Sequence, residues 1–229
     1  MDFADKEVVV TGGTGALGTA VVGMLLEAGA ACVVPYAHEA EAQRFPHGKA
    51  KLIAAGDLSD ESTVAKVFAG VKPWASIHIA GGFAVGKVAD TDKAALMAQL
   101  DTNLLSCFLC CRAAVRAMLG AGQGGRIVNV AARPALEPRS GAGMTAYTVA
   151  KSGVATLTIS LAEEVAKDGI LVNAVAPSIM HTPANRKAMP KANFDAWPKV
   201  EEVAATIAFL ASSDNRVTRG AIVPVYGKS

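Results

Sequence analysis

A glycine-rich turn near the N-terminus places the strongest constraint on how this 229-residue chain can fold. Residues 11–18 read TGGTGALG and follow a run of three valines that ends at Val10. Gly13, Gly15 and Gly18 match the pattern G-x-G-x-x-G, in which glycines allow a tight turn and a close approach to a pyrophosphate. Free N–H groups at a helix N-terminus attract phosphate. The segment therefore predicts a dinucleotide site between a first strand and a first helix.

Short β-branched runs alternate with alanine-rich stretches along the whole chain. Strands are predicted at residues 8–10, 31–34, 51–54, 76–80, 126–130, 170–175 and 222–225. Helices are predicted at residues 16–28, 60–68, 91–119, 146–168 and 201–210. Nearly continuous apolar strands that alternate with helices are typical of a parallel sheet covered on both faces. We expect a single α/β domain over residues 1–229, a Rossmann-type doubly wound parallel sheet with ligands at the carboxyl ends of its strands.

Composition excludes several other classes. A net charge of +2 without a dense basic run argues against a nucleic-acid partner. The N-terminal residues lack the basic and apolar blocks of a signal peptide, and no apolar run reaches the ~20 residues of a membrane span. Cys107, Cys110 and Cys111 have helical spacing, but no histidine lies near them in the sequence. We therefore expect buried thiols, no metal site, no membrane partner and a cytoplasmic location.

A tyrosine and a lysine one helical turn apart supply the second chemical signal. Tyr147 and Lys151 share a helix face. A free tyrosine has a pKa near 10, so its ionisation at neutral pH requires roughly 4 kcal/mol of help. A neighbouring ammonium group supplies part of that, which makes Tyr147 a candidate general acid or base. Such pairs are common on helices, but downstream of a dinucleotide motif this one predicts an oxidoreductase.

The choice between NAD and NADP is left open by the sequence. An acidic residue about 20 positions beyond the glycines would bind the ribose 2′-hydroxyl of NAD. The second strand instead continues to Tyr36, the first acid is Glu39, and the first arginine is Arg44. His38 could face a 2′-phosphate or lie in solvent. We expect either NAD or NADP as the cofactor.

Six segments, in the right order, resemble the short-chain dehydrogenase/reductase family over essentially the whole chain. They are the glycine motif Thr11–Gly18, Asp57-Leu58, Ala80-Gly81, Asn103, the Tyr147/Lys151 pair, and residues 173–177 with Thr182. The resemblance implies hydride transfer between a nicotinamide cofactor and a small substrate.

The same resemblance implies roles for individual residues. Tyr147 would donate the proton, Lys151 would bind the nicotinamide ribose and lower the pKa of Tyr147, and Asn103 would hold a water in a relay to Lys151. Thr182 would bind the carboxamide. The cofactor-binding residues that it implies are Gly12, Thr14, Gly15, Ala16, Leu17, Gly18, Tyr36, Asp57, Leu58, Ala80, Gly81, Gly82, Tyr147, Lys151, Pro177, Ser178 and Thr182.

The chain departs from the family pattern most clearly at the catalytic serine. Ala131 and Ala132 stand where that serine would follow the fifth strand, and Ser140 is too close to Tyr147 by family spacing. The serine hydroxyl would stabilise developing charge on the substrate oxygen, which alanine cannot do. Elsewhere, Ala16 replaces a frequent glycine, His78-Ile79 replaces Asn-Asn, and Ser178 replaces a glycine.

The dihydropteridine reductase branch of the family also lacks this serine. Residues 80–86 and 182–194, followed by Trp197, resemble loops of that branch. Quinonoid dihydropterin is an electron-poor, imine-like acceptor, so its reduction builds little alkoxide charge. Three alternatives stay open. One is a reductase of another conjugated substrate in which Asn103, Arg133 or Ser178 supplies the missing hydrogen bond. The second is a carbonyl or alcohol reductase with the ordinary family mechanism, and the third is a non-catalytic cofactor-binding protein.

Two further expectations concern the segment at 177–198 and self-association. Residues 177–198, with Pro183 and Pro190, are predicted to form an irregular substrate lid, or else a surface insertion. The two long helices predicted at 91–119 and 146–168 are apolar enough to bury a face outside their own domain, although the internal core could use them fully. The resemblance implies a homodimer or homotetramer that contacts through these helices.

Overall fold

Seven parallel strands form one sheet in the computed structural model, which describes residues 1–229. In spatial order the strands are β3-β2-β1-β4-β5-β6-β7. Their bounds are β1 Glu7–Thr11, β2 Ala31–Tyr36, β3 Lys51–Ala54, β4 Ala75–His78, β5 Gly125–Val130, β6 Ile170–Pro177 and β7 Ile222–Val225. The expectation of a single-domain doubly wound sheet is confirmed.

Nine α-helices connect the strands and cover both faces of the sheet. Their bounds are α1 Ala16–Glu27, α2 Glu39–Arg44, α3 Glu61–Phe68, α4 Lys93–Gln99, α5 Ser106–Ala121, α6 Arg133–Leu136, α7 Thr145–Glu164, α8 Pro183–Ala188 and α9 Val200–Ala211. Helices α1 and α9 pack on one face, and α3, α5 and α7 pack on the other.

Both faces of the central strands are buried, which explains their uninterrupted apolar sequences. In β1, Val8 and Val10 belong to the core under α1 and α9, whereas Val9 belongs to the core on the opposite face. Successive side chains of a strand point to opposite faces, so a strand covered on both sides needs apolar residues at every position.

The strand order reverses beside β1, and this reversal positions the ligand cleft. The chain passes from β1 to β2 and β3 on one side and then continues with β4 on the other. Helices leave the sheet in opposite directions at such a point, so a crevice opens at the carboxyl ends of β1 and β4. The glycine-rich turn lies at this place, directly after β1.

Most predicted elements are confirmed to within a few residues, including the long helix predicted at 91–119, which spans Lys93–Ala121. It divides into α4, a π-helical stretch at Leu100–Leu105, and α5. Strand β4 ends at His78 rather than at residue 80, because its partner β1 ends at Thr11, which pairs with His78. Strand β6 continues to Pro177 because Pro177 pairs with Val225 of β7.

The continuous helical stretch Lys93–Ala121 is long and apolar enough, by length and composition alone, to cross a membrane. This corrects the expectation that no segment reaches such a length. Within α5, the side chains of Cys107, Leu109, Cys111 and Met118 are buried in the core beside the sheet. Buried core helices of soluble proteins pass the same test.

The segment 177–198 is more regular than its prolines predicted. It contains α8, a 3-10 turn at Phe194–Ala196, and a bridge between His181 and Lys199 just beyond its end. Thr182 caps α8, because its Oγ1 accepts a hydrogen bond from the backbone N–H of Asn185 at 3.2 Å. A proline at the first helical position, as in α8, is compatible with a helix because its missing N–H has no intrahelical partner there.

Candidate active site

The glycine turn packs against neighbouring backbone too closely for a side chain at two of its positions. Gly12 has a φ of +66°, and a Cβ added to it would lie 2.6 Å from the backbone nitrogen of Ala80. A Cβ on Gly18 would collide with the carbonyl oxygen of Gly12. Gly15 is the N-cap of α1. Gly13 packs against Val34 instead, so Gly12, Gly15 and Gly18 are the glycines that shape the cleft.

A cleft of about 400 Å³ opens at the carboxyl ends of β1 to β4. The predicted cofactor residues that line it are Gly12, Thr14, Gly15, Ala16, Leu17, Gly18, Tyr36, Asp57, Leu58, Ala80 and Gly81. The sequence patterns did not indicate the other lining residues, which are Pro35, Ala37, Glu41, Ala55, Gly56, Ile79, Thr102 and Ser106. Most of these adjoin a predicted residue in the chain, and Thr102 and Ser106 lie on the turn of helix around Asn103, so adjacency was the available signal.

Carboxylates, and no lysine or arginine, line this cleft. An Oε2 oxygen of Glu41 accepts hydrogen bonds from the Thr14 hydroxyl at 3.2 Å and from the Ala37 N–H at 3.4 Å. Nearby, the Tyr36 hydroxyl donates to Glu39 at 3.0 Å, and this hydrogen bond raises the pKa of Tyr36. Carboxylates at this end of the cleft would repel a further phosphate group.

Tyr147 and Lys151 lie one turn apart on α7, as predicted, but their electrostatics differ from the expectation. Burial raises the pKa of Tyr147 to about 12, and its hydroxyl makes no hydrogen bond within the protein. Lys151 does not lower that pKa here, because its ammonium lies 6.0 Å from the tyrosine ring centroid and donates to the carbonyl oxygen of Val130 at 2.8 Å. Burial lowers the pKa of Lys151 to about 8.

Asn103 lies against the same group of residues. It is in the π-helical stretch, is 1% exposed, and donates to the carbonyl oxygens of Gly82 and Gln99, each at 3.0 Å. A Cβ added to Gly81 would lie 2.6 Å from Oδ1 of Asn103 and 3.3 Å from Nζ of Lys151. The absence of a side chain at Gly81 therefore allows the amide and the ammonium each to lie close to the Gly81 backbone.

The family model described as short chain dehydrogenase matches residues 6–193. The chain belongs to the short-chain dehydrogenase/reductase family.

Relatives and solved structures agree with this assignment. The chain is 34% identical to galactitol 2-dehydrogenase of Rhizobium johnstonii, over 96% of this chain and 93% of the relative. It is 36% identical to cis-4-hydroxycyclohexanecarboxylate dehydrogenase of Sinomonas cyclohexanicum, over 98% and 96%. An oxidoreductase of the family from Burkholderia thailandensis superposes with a TM-score of 0.87 at 27% identity, over 97% and 91%. This family member is an NAD(P)-dependent oxidoreductase that transfers hydride to or from a small molecule.

The residues of this family member fit a dinucleotide. Its glycine turn lines the cleft, and Gly12 and Gly18 let the turn pack tightly there because a Cβ at either position would collide with neighbouring backbone. The N-terminus of α1 begins at this turn, and its N-cap Gly15 has no side chain to cover the free N–H groups. Helix N-termini without such cover bind phosphate through those groups.

Six residues predicted to bind cofactor do not line the cleft, namely Gly82, Tyr147, Lys151, Pro177, Ser178 and Thr182. Gly82 exchanges two hydrogen bonds with the Asn103 side chain. Ser178 follows β6, and its hydroxyl donates to the carbonyl oxygen of Tyr226 at 2.9 Å. The hydroxyl of Thr182 caps α8. Their roles toward a cofactor remain predictions.

No hydroxyl takes the place of the family's serine in this member. Ala132 is buried, and the Ser140 hydroxyl donates instead to the carbonyl oxygen of Glu137 at 2.8 Å. Of the substitutes considered, Asn103 and Ser178 already use their donors within the protein. Arg133 uses only Nε, which donates to Glu137 at 2.8 Å, so its terminal nitrogens have no protein partner.

A histidine that is distant in the sequence lies near the helical cysteines in space, which the sequence did not predict. His78 of β4 approaches Cys111 to 3.4 Å, and Cys107 lies in the same buried group. Both ring nitrogens of His78 are already paired, one with Ser76 Oγ and one with Asn129 Oδ1, each at 2.8 Å. These contacts describe a satisfied polar network inside the sheet, and the absence of a metal remains a prediction.

Proposed function

We propose that this enzyme is a reductase that uses NADH to reduce an electron-poor, conjugated acceptor, with quinonoid dihydropterin as the first candidate. The observation that carries the proposal is the alanine at position 132, together with the engaged donors of Asn103 and Ser178. A simple ketone develops alkoxide charge that needs a positioned donor. A quinonoid imine develops little oxyanion charge, so its reduction tolerates the loss of that donor.

The proton in this reaction comes from Tyr147. A bound NADH supplies the hydride, and the acceptor takes up one proton to complete a two-electron reduction. Since the pKa of Tyr147 is about 12, the phenol stays protonated at neutral pH and can act as a general acid. Lys151, one helical turn away and held by Val130, would bind the nicotinamide ribose.

An aromatic side chain beside Tyr147 supports a planar substrate. The Phe83 ring meets the Tyr147 ring edge to face, with centroids 5.1 Å apart, yet Phe83 remains 64% exposed. An exposed aromatic face next to a proton donor offers a flat ring a stacking surface. Phe83 also belongs to a loop that resembles dihydropteridine reductase.

A second candidate is oxidation of a secondary alcohol or reduction of the corresponding ketone. It is favoured by the relatives, which include a galactitol 2-dehydrogenase and a cis-4-hydroxycyclohexanecarboxylate dehydrogenase. In this case Arg133, with its unpaired terminal nitrogens, would supply the hydrogen bond to the substrate oxygen.

Restoring the serine separates the two candidates. We expect Ala132→Ser to raise kcat/KM for simple ketones by about tenfold or more, since an oxyanion donor is worth about 10²–10³ in rate. Activity with quinonoid dihydropterin should change by less than about twofold. Ser140→Ala is the control, because that hydroxyl is bound to Glu137. A large gain with the pterin would contradict the proposal.

NADH is preferred in this proposal because of the carboxylates in the cleft. The 2′-phosphate of NADPH would have to approach Glu41, and no lysine or arginine lines the cleft to neutralise it. Glu41 comes from helix α2 rather than from the end of β2, where Tyr36 stands instead. An acid in this region binds ribose hydroxyls of NAD.

We further propose a cytoplasmic homodimer or homotetramer. Helices α5 and α7 carry exposed apolar side chains, including Phe108, Leu119, Val149 and Ile159. All four cysteines are free thiols, as expected of a reducing compartment. Sedimentation velocity should show a dimer or larger species, and Phe108→Glu with Ile159→Glu should shift it to monomer. A monomeric wild-type protein would contradict the proposal.

A further inference from the structure

Arg133 stands at the active-site end of the sheet. It is the first residue of α6 and directly follows Ala132, the position of the missing serine. The carbonyl oxygen of Val130, three residues earlier, accepts the hydrogen bond from Lys151. Arg133 therefore lies three residues along the chain from a carbonyl group that binds Lys151, the neighbour of Tyr147 on α7.

Two contacts hold the guanidinium of Arg133 in one orientation. Its Nε donates to Oε2 of Glu137 at 2.8 Å, and its central carbon lies 4.9 Å from the ring centroid of Tyr226. Neither terminal nitrogen donates to a protein group, and the side chain is 36% exposed. The two terminal nitrogens of Arg133 therefore form a rigid pair of N–H donors that have no hydrogen-bond partner in the protein.

The positive charge of the Arg133 guanidinium is already balanced by a neighbouring carboxylate. Glu137 forms an ion pair with Arg133, so an anionic substrate would meet a carboxylate together with the guanidinium. A neutral group with two adjacent acceptors meets the planar fork without that repulsion. The same fork reads the O6 and N7 atoms of guanine. In a pterin ring, the O4 and N5 atoms form an equivalent adjacent pair.

We propose that Arg133 is a substrate-binding residue that donates two hydrogen bonds to adjacent neutral acceptors, namely O4 and N5 of a pterin. This inference rests on the proposed function and names the edge by which its substrate is held. Arg133 contributes orientation and affinity, whereas Tyr147 contributes the proton.

Calorimetric titration with two oxidised, non-reacting probes tests the inference. Pterin carries both acceptors, whereas 5-deazapterin lacks only the N5 acceptor. With the protein saturated in NAD⁺, we expect wild type to bind pterin about tenfold more tightly, the value of about one charge-assisted hydrogen bond. Arg133→Lys keeps the charge and the Glu137 ion pair but loses the fork, so the two affinities should come within about twofold of one another.

Arg139→Lys is the matched control, because this exposed arginine makes no side-chain hydrogen bond or ion pair. It should keep the wild-type ratio of affinities. The inference is overturned if Arg133→Lys also keeps that ratio, if wild type binds both probes equally, or if wild type binds neither. Thermal unfolding of each variant verifies that it is folded.

The two proposals fail in different ways. If wild type reduces quinonoid dihydropterin but Arg133→Lys binds the probes as wild type does, the function stands and the role of Arg133 is lost. If the probe affinities behave as expected but no dihydropterin is reduced, Arg133 binds pterins and the proposed reaction is wrong.

Discussion

Burial shifts the pKa of Lys151, and this shift makes the stability of the protein depend on pH. Its side chain is 6% exposed and donates to the carbonyl oxygen of Val130. Burial lowers its pKa from 10.5 to about 8. That difference corresponds to about 3 kcal/mol by which the folded state disfavours the ammonium form relative to the unfolded chain.

The sign of this effect predicts a pH dependence. Between about pH 8 and pH 10 the folded chain has lost the Lys151 proton and the unfolded chain still binds it, so the free energy of unfolding rises with pH. Urea unfolding near pH 7 and near pH 9.5 should show wild type gaining about 2 kcal/mol relative to Lys151→Met. Above pH 10 the raised pKa of Tyr147 acts in the opposite direction, so the comparison stops below that. Parallel curves for the two proteins would refute the buried-ammonium account.

Glu41 is expected to determine the preference for NADH over NADPH. Glu41→Gln removes the negative charge beside Thr14 and preserves the size of the side chain. We expect the ratio of kcat/KM with NADPH to that with NADH to rise by about tenfold, mainly through KM for NADPH, since one neighbouring charge is worth on the order of 1 kcal/mol. Glu39→Gln is the control, because Glu39 pairs with Tyr36 and does not line the cleft. Equal changes in the two variants would assign the preference elsewhere.

Residue patterns in the sequence predicted the Tyr147/Lys151 pair and most of the glycine turn because their chemistry depends on spacing along one element. Glu41 and His78 were missed for a common reason. Glu41 reaches the cleft from a short helix after β2, and His78 meets Cys111 across a strand and a helix. Contacts between separate elements leave no local spacing signal.

Among the secondary-structure elements, the π-helical stretch Leu100–Leu105 was not predictable from the sequence. It contains neither glycine nor proline, so its composition reads as ordinary helix. The wider turn places Asn103 against Gly82 and Gly81. Single π-turns of this kind are frequent at functional sites.

The segment 177–198 is expected to become more protected from hydrogen exchange when the cofactor binds. It is held by the α8 cap at Thr182 and by a hydrogen bond from the Lys228 N–H to the carbonyl oxygen of Ala196 at 2.8 Å. We expect NADH to slow hydrogen exchange in 177–198 by about tenfold, as a lid that closes over the site would. Peptides from α9 serve as the reference. Exchange that is unchanged at saturating NADH would show that this segment is not a lid.

The fold of the whole molecule follows from a pattern that recurs along the sequence. Apolar strands that alternate with helices permit few topologies, and right-handed crossovers reduce them further, so the seven-stranded parallel sheet was predictable. The reversal of strand order beside β1 places the cleft where the glycine turn already stands. Strand limits were less predictable because each strand ends where its neighbour ends, as His78 does opposite Thr11.

The proposed reaction is hydride transfer from NADH to a quinonoid dihydropterin with Tyr147 as the proton donor. It is tested by following the loss of reduced-nicotinamide absorbance with this acceptor, for wild type and for Tyr147→Phe. We expect NADH-dependent turnover by wild type and a loss of about 10²-fold or more in Tyr147→Phe, with NADH binding retained. Equal activity of the two proteins, or turnover only with simple dicarbonyl compounds, would contradict it.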